Sequence, residues 1–135
     1  MEDLAKLYQI RFSDVKREKK DSVWKLLCED YYQQFVPHSS TVLETASGYG
    51  ELIRHISASR KIAVDLNPDS KACLPEEIEF HLGSATDLGM LEDGSVDVCF
   101  SSNFFEHLPS TELMDKVLSE ARRVLKPGGI YLAMQ

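Results

Sequence analysis

The carboxylates Glu44, Asp65 and Asp87 stand at or just beyond the ends of short apolar runs. An ionised carboxylate only accepts hydrogen bonds, so such positions can hold hydroxyls, amino groups, backbone N–H groups or a cation. Glu44 belongs to Val42-Leu43-Glu44-Thr45-Ala46-Ser47-Gly48-Tyr49-Gly50, an apolar run that ends in an acid and enters a glycine-bearing turn. Gly48 and Gly50 permit a tight turn and a close approach of ligand to backbone. The amphipathic run Glu51–Ile56 follows, which predicts a helix whose N-terminus offers free N–H groups beside the turn. Asp65 ends a second apolar run, Lys61-Ile62-Ala63-Val64-Asp65, and comes 65 − 44 = 21 residues after Glu44. A separation of about 20 residues is the one at which an acid reaches the ribose hydroxyls in a βαβ nucleotide site. Glu44 has a second reading as an acceptor that stabilises the turn, and Asp87 as a helix N-cap beside Leu88-Gly89.

A titratable pair, Glu106-His107, lies just beyond a third apolar run that ends in Ser101-Ser102. A base there could take a proton from an acceptor during group transfer; the alternative is a structural histidine beneath the loop. His38, His55 and His81 have no partner visible in sequence. Cys28, Cys73 and Cys99 are odd in number and lack metal-ligand spacing. They read as free thiols in a reducing cytoplasm, and no metal site is expected.

The elements that must position these residues alternate. Strands are predicted at 41–46, 61–65, 78–82 and 96–101, with a fifth beginning at Ile130. Helices are predicted at 49–57, near 68–73 and over 110–125, where Leu113, Met114, Val117, Leu118, Ala121, Val124 and Leu125 form one stripe. Asn67-Pro68 and Asp93-Gly94 mark turns, and Lys126-Pro127-Gly128-Gly129 ends the last helix. Such alternation predicts a parallel sheet with helices on both faces and a ligand at the carboxyl ends of its strands. Residues 2–36 read as helical, with Leu4, Leu7, Tyr8, Val23, Trp24, Leu26, Leu27, Tyr31 and Phe35 at helical spacing and Pro37 as the stop. A break is expected at Arg11-Phe12-Ser13, with Ser13 as N-cap.

At 135 residues the chain can build one domain with a core. No run is long and apolar enough to span a membrane, and no signal peptide pattern opens the chain. The net charge of −7 argues against non-specific nucleic-acid binding. The locally basic stretch 11–25 reads as a solvated helix face. Strand five, with Tyr131, Leu132 and Met134, is left at a sheet edge. The favoured explanation is a piece of a longer protein; the alternative is a partner on that edge, for which a homodimer is the expectation.

Three further segments accompany the glycine turn and the Asp65 strand: Ser84–Leu88, Ser101–Leu108 and Glu120–Gly129 with its Arg122-Arg123-Val124-Leu125-Lys126-Pro127-Gly128-Gly129 run. In that order these pieces resemble the class I S-adenosylmethionine-dependent methyltransferases over residues 41–135, about the first two thirds of that family's fold. The resemblance implies a Rossmann-like, doubly wound, mainly parallel α/β sheet that lacks its C-terminal strands. It also implies a helical N-terminal cap over 1–40 and a cofactor-binding domain over 41–135, together one compact unit. The cofactor would be S-adenosylmethionine, leaving as S-adenosylhomocysteine. Glu44, Ala46, Gly48 and Gly50 would lie under its methionine part. Asp65 would hold the ribose, Leu66 would pack on the adenine, and Asp87 would accept from the adenine amino group beside a backbone contact at Leu88. Ser101 and Ser102 would approach the transferable methyl, with Glu106 and His107 as the catalytic candidates. Some members bind a metal through a Glu-x-x-Glu-His segment; here Asn103 replaces the first acid. The family usually has glycine where Ala46 stands, so its methyl group either crowds the cofactor or is taken up by a backbone shift. The expected activity is methyl transfer to a small-molecule or saccharide-type acceptor by in-line displacement. The alternative is a truncated, non-catalytic cofactor-binding or interaction domain, and a nicotinamide oxidoreductase ranks third.

Overall fold

The computed structural model describes the backbone of residues 2–135 and the side chains of residues 16–135. A long helix, α1 (Glu2–Asp30), is followed by a short 3-10 turn at Tyr32–Phe35. Five strands come next: β1 (Thr41–Thr45), β2 (Arg60–Asp65), β3 (Glu79–Leu82), β4 (Val96–Ser102) and β5 (Leu125–Met134), with α2 (Thr111–Val124) between the last two. All four pairings are parallel, in the order β3-β2-β1-β4-β5. The chain leaves β1 toward β2 on one side and β4 flanks β1 on the other. The carboxyl ends of β1 and β4 therefore border the crevice where such sheets hold ligands.

Alternate strand residues feed two cores. Val42, Ala63, Val98 and Phe100 face Trp24 and Cys28 of α1 together with Leu52, Ile53 and Ile56. Leu43, Ile62, Val64 and Cys99 face Ala121 and Val124 of α2 together with Leu88 and Leu91. Ser110 caps α2 by accepting from Leu113 N–H at 3.3 Å, and the apolar stripe predicted for this helix buries Val117, Ala121 and Val124. Both faces are covered, as a parallel sheet requires.

Three expectations are corrected. First, α1 runs unbroken through Arg11–Ser13. No glycine or proline lies between Glu2 and Asp30, and a lone serine lowers helix propensity by only about 0.5 kcal/mol. The side chains of Leu4, Leu7 and Tyr8 lie outside the described residues. Second, the helix expected at 49–57 is a run of turns over 48–55. Ile53 N–H, which a helix would direct to Tyr49 C=O, donates to the Glu44 carboxylate at 2.8 Å, and that carbonyl accepts from Arg54 Nε at 2.9 Å. Third, β5 begins at Leu125 rather than Ile130. Its pairing jumps from Val96↔Leu125 to Val98↔Ile130, so Lys126–Gly129 bulges out of the ladder.

Burial pushes the Cys28 and Cys99 thiols up to about 12, while Cys73 is half-buried on a 3-10 turn. A thiol reagent at neutral pH is expected to label Cys73 alone in the native protein and all three thiols after unfolding. Native labelling of Cys28 or Cys99 would contradict the packing described.

Candidate functional site at the carboxyl ends of the strands

The corner is built from the end of β1 outward. Glu44 is buried beneath the turn and accepts from Ile53 N–H at 2.8 Å. Burial dominates its environment and pushes its carboxyl up to about 8, the backbone hydrogen bonds offsetting only part of that rise. Ala46 then adopts φ +50°, in the left-handed region, followed by Gly48 at +52° and Gly50 at +74°. A Cβ at Gly50 would meet Leu74 Cδ2 at 2.4 Å, so that glycine is required by packing. A Cβ at Gly48 would meet nothing within 4 Å; the space above this residue is open.

Left-handed backbone suits glycine and strains alanine. Ala46→Gly is therefore expected to stabilise the protein by about 0.5–1 kcal/mol, after allowing for glycine's greater chain entropy. Urea unfolding measures this, and a loss of stability would overturn the strain assignment.

Asp65 and the glycine turn meet directly. Asp65 Oδ2 accepts from Gly48 N–H and Oδ1 accepts from Asn67 N–H, both at 2.8 Å. Backbone bonds from Ser47 N to Val64 C=O (3.1 Å) and from Gly83 N to Asp65 C=O (2.9 Å) stitch the turn, β2 and the β3 loop together. Leu66 follows this carboxylate in the chain and is 73% exposed, an apolar residue open to solvent.

The remaining candidates are placed less uniformly. Asp87 is exposed in the loop after β3 and accepts from Gly89 N–H at 3.0 Å, forming a turn rather than a helix cap. Leu88 is fully buried; its N–H donates to Glu120 at 2.6 Å and its carbonyl accepts from Arg123 at 2.9 Å. Both backbone groups of Leu88 are thus already engaged. Ser101, buried at the end of β4, bonds Tyr131 through its hydroxyl at 2.7 Å, and Ser102 follows, half-buried. Glu106 and His107 sit on a 3-10 turn, Phe105–His107, facing solvent. His107 has a 75% exposed side chain 3.9 Å from Glu106, which instead accepts from Gln135 at 2.6 Å. His107 is not buried beneath the loop. No group of three or more metal-binding side chains comes together among the described residues. Among them too, no helix is long and apolar enough to cross a membrane.

Sequence reasoning expected a helical cap over 1–40 but missed which of its side chains meet the turn. Arg17 lies over the Tyr49 ring at 3.7 Å, Lys20 pairs with Glu51 at 3.0 Å, and Asp21 accepts from Arg54 and, at 2.8 Å, from His55. A cleft of about 410 Å³ opens between this helix and the turn, lined by Arg17, Asp21, Tyr49, Glu51, Arg54 and Cys73. The stretch read as a solvated face is thus partly a contact face. The signal was present, since Arg17, Lys20, Asp21 and Trp24 share one side of a helix, but its partners lie some thirty residues away. The buried Ser47 hydroxyl, which has no hydrogen-bond partner, also went unnoticed.

Comparison with known proteins agrees with the fold. Residues 43–133 match a family model described as "Methyltransferase domain". A ubiquinone/menaquinone biosynthesis C-methyltransferase from Brucella anthropi is 35% identical over 109 residues, covering 70% of this chain and 40% of the relative. The chain therefore spans about two fifths of that relative's length. A Methanococcus maripaludis protein described as a putative S-adenosyl-L-methionine-dependent methyltransferase superposes with a TM-score of 0.69 at 18% identity, covering 91% of this chain and 60% of that one. Haemonchus contortus phosphoethanolamine N-methyltransferase 1, solved with phosphoethanolamine and S-adenosylhomocysteine, gives 0.64 at 16% identity, covering 89% and 32%.

Proposed function

We propose, from the premise that this chain belongs to the class I S-adenosylmethionine-dependent methyltransferase family, that its β1–β2 corner binds S-adenosylmethionine for methyl transfer to a small-molecule or saccharide-type acceptor. The observation that carries this reading is the junction of Asp65 with Gly48. An acceptor carboxylate lies at 2.8 Å from a turn glycine, and the space above that glycine is open. The residues present suit a nucleoside: Asp65 would take the ribose hydroxyls, Leu66 would offer an apolar surface to the base, and Asp87 would accept from its amino group. When bound, S-adenosylmethionine supplies a methyl group activated on a sulfonium. The chain's own residues supply position and exclusion of water, which is what an in-line transfer needs most. Glu44, Ala46 and Gly50 would shape the floor under the methionine part, and Ser101 and Ser102 the wall toward the acceptor. Glu106 and His107 are this reading's candidates for the acceptor's proton. The small-acceptor reading is supported by the net charge of −7, which works against a polyanionic substrate, and by the small phosphoethanolamine in one structural neighbour.

Titration calorimetry with S-adenosylmethionine and S-adenosylhomocysteine tests the reading. Saturable heat with both is expected; a folded sample that binds neither would falsify it. A second reading, a cofactor-binding or interaction domain without turnover, is favoured by the solvent-facing Glu106–His107 pair. Binding of S-adenosylhomocysteine with no methyl transfer to a panel of small acceptors would select it.

A further inference from the structure

Asp87 is followed at once by a loop that α2 tethers at both ends. The Leu88 N–H donates to Glu120 Oε2 at 2.6 Å. Arg123 donates to the Leu88 carbonyl at 2.9 Å, to the Leu91 carbonyl at 3.0 Å and to Asp93 at 2.6 Å. Glu120 and Arg123 also hold each other, through Nε–Oε1 at 2.9 Å and Nη2–Oε2 at 3.1 Å. The loop's far end is bound by the helix backbone: Gly94 N–H donates to Arg123 C=O at 3.0 Å and Ser95 N–H to Val124 C=O at 2.8 Å. The Leu88 side chain is meanwhile sealed in the core.

This is more than α2 needs to stay folded. A surface Glu–Arg pair three residues apart contributes a few tenths of a kcal/mol to a helix. Here the same two side chains also bond three backbone groups and the Asp93 carboxylate of one loop. A guanidinium can do so because its planar fork of donors reaches two carbonyls and two carboxylates without rearranging. The Arg123 hydrogen bond holds Glu120 below the usual carboxylate range, so an ionised acceptor faces Leu88 N–H at neutral pH.

We propose that Glu120 and Arg123 are positioning residues for the cofactor's base: by fixing both backbone groups of Leu88 they set where the Asp87 carboxylate stands, and so enforce selection of an adenine amino group. This inference rests on the proposed cofactor site and names a specificity device within it. Asp87 has one oxygen committed to Gly89 N–H, which sets its rotation. The clamp on the next residue sets its location. Together they leave a carboxylate whose place does not depend on the ligand, as discrimination between two similar bases requires.

The test compares S-adenosylhomocysteine with S-inosylhomocysteine, in which a carbonyl replaces the amino group, so a donor becomes an acceptor facing Asp87. The wild type is expected to prefer the amino form by about tenfold or more, the range of one hydrogen bond to a charged group. Glu120→Ala should bring the two affinities together mainly by weakening the amino form. Adding Asp87→Ala to it should lower discrimination no further, because the two residues act on one contact. Arg123→Lys, a milder change that keeps the charge and loses the fork, reads the same ratio if Glu120→Ala does not fold. Equal weakening of both ligands, with the ratio preserved, assigns the clamp a purely structural role and overturns the proposal. A wild type that binds neither ligand removes the cofactor site, and this inference with it. A wild type that binds both alike spares the site and overturns this inference alone.

Discussion

Asp65→Ala is expected to weaken S-adenosylhomocysteine binding by about a hundredfold, or about 3 kcal/mol, for two hydrogen bonds to a charged acceptor. In the unliganded corner the Asp65 carboxylate already holds Gly48 N–H and Asn67 N–H at 2.8 Å. Its orientation is therefore fixed before any ligand arrives, and binding need not order it. Alanine removes the acceptor for the ribose hydroxyls and frees the turn at Gly48. Asp65→Asn is the smaller change. Its amide oxygen can still accept from Gly48 N–H, but its NH₂ then faces Asn67 N–H and the ribose hydroxyls, where an acceptor is needed. The asparagine variant is expected to lose stability with the Asn67 contact and to bind about tenfold more weakly. Unchanged affinity in both variants, by calorimetry on folded samples, would remove Asp65 from the site.

The second large effect is one of pH and stability, and it concerns Glu44. Its carboxyl is fully buried, and its folded value rises from an ordinary 4.5 to about 8. The native protein therefore keeps a proton that the unfolded chain releases between those values. Below the window both states hold the proton, and Glu44 does not penalise folding. As pH rises through it, the unfolded chain binds fewer protons than the native one, and stability falls until about 8. At about 1.4 kcal/mol per pH unit of displacement, the accumulated penalty is about 3–5 kcal/mol. Glu44→Gln keeps an oxygen for Ile53 N–H and abolishes the titration. The variant should match the wild type within about 1 kcal/mol near pH 5 and exceed it by about 3–5 kcal/mol above pH 8. Denaturant unfolding at several pH values measures both; parallel curves for the two proteins would show that Glu44 is solvated or stably charged in the native state.

Much of the scaffold was legible because it is written locally. The runs Val42–Glu44, Ile62–Asp65 and Val96–Ser101 carry the composition of strands buried on both faces, and β1, β2 and β4 appear there. The stripe from Leu113 to Leu125 marked α2. The second apolar run placed Asp65 at the end of β2, and there the structure joins it to Gly48. The segment 48–55 failed the same treatment. Its apolar periodicity is helical and Leu52, Ile53 and Ile56 are buried as a helix would bury them. The backbone pattern was lost because the buried Glu44 carboxyl takes Ile53 N–H in place of the Tyr49 carbonyl.

By itself the sequence determined the order of elements, the parallel sheet and the acids at its carboxyl edge, because these follow from periodicity, turn residues and spacing along the chain. The tertiary structure alone decided which hydrogen-bonding groups remain free. It committed Glu44 to the turn at Ile53, tied Leu88 to Glu120 and Arg123, drew Arg17, Lys20 and Asp21 of α1 onto the glycine turn, and left Glu106 and His107 in solvent. The physical reason is range. A pattern of neighbours sets which way a residue faces, but a donor or charge is satisfied by whatever the fold brings within about 3 Å of it.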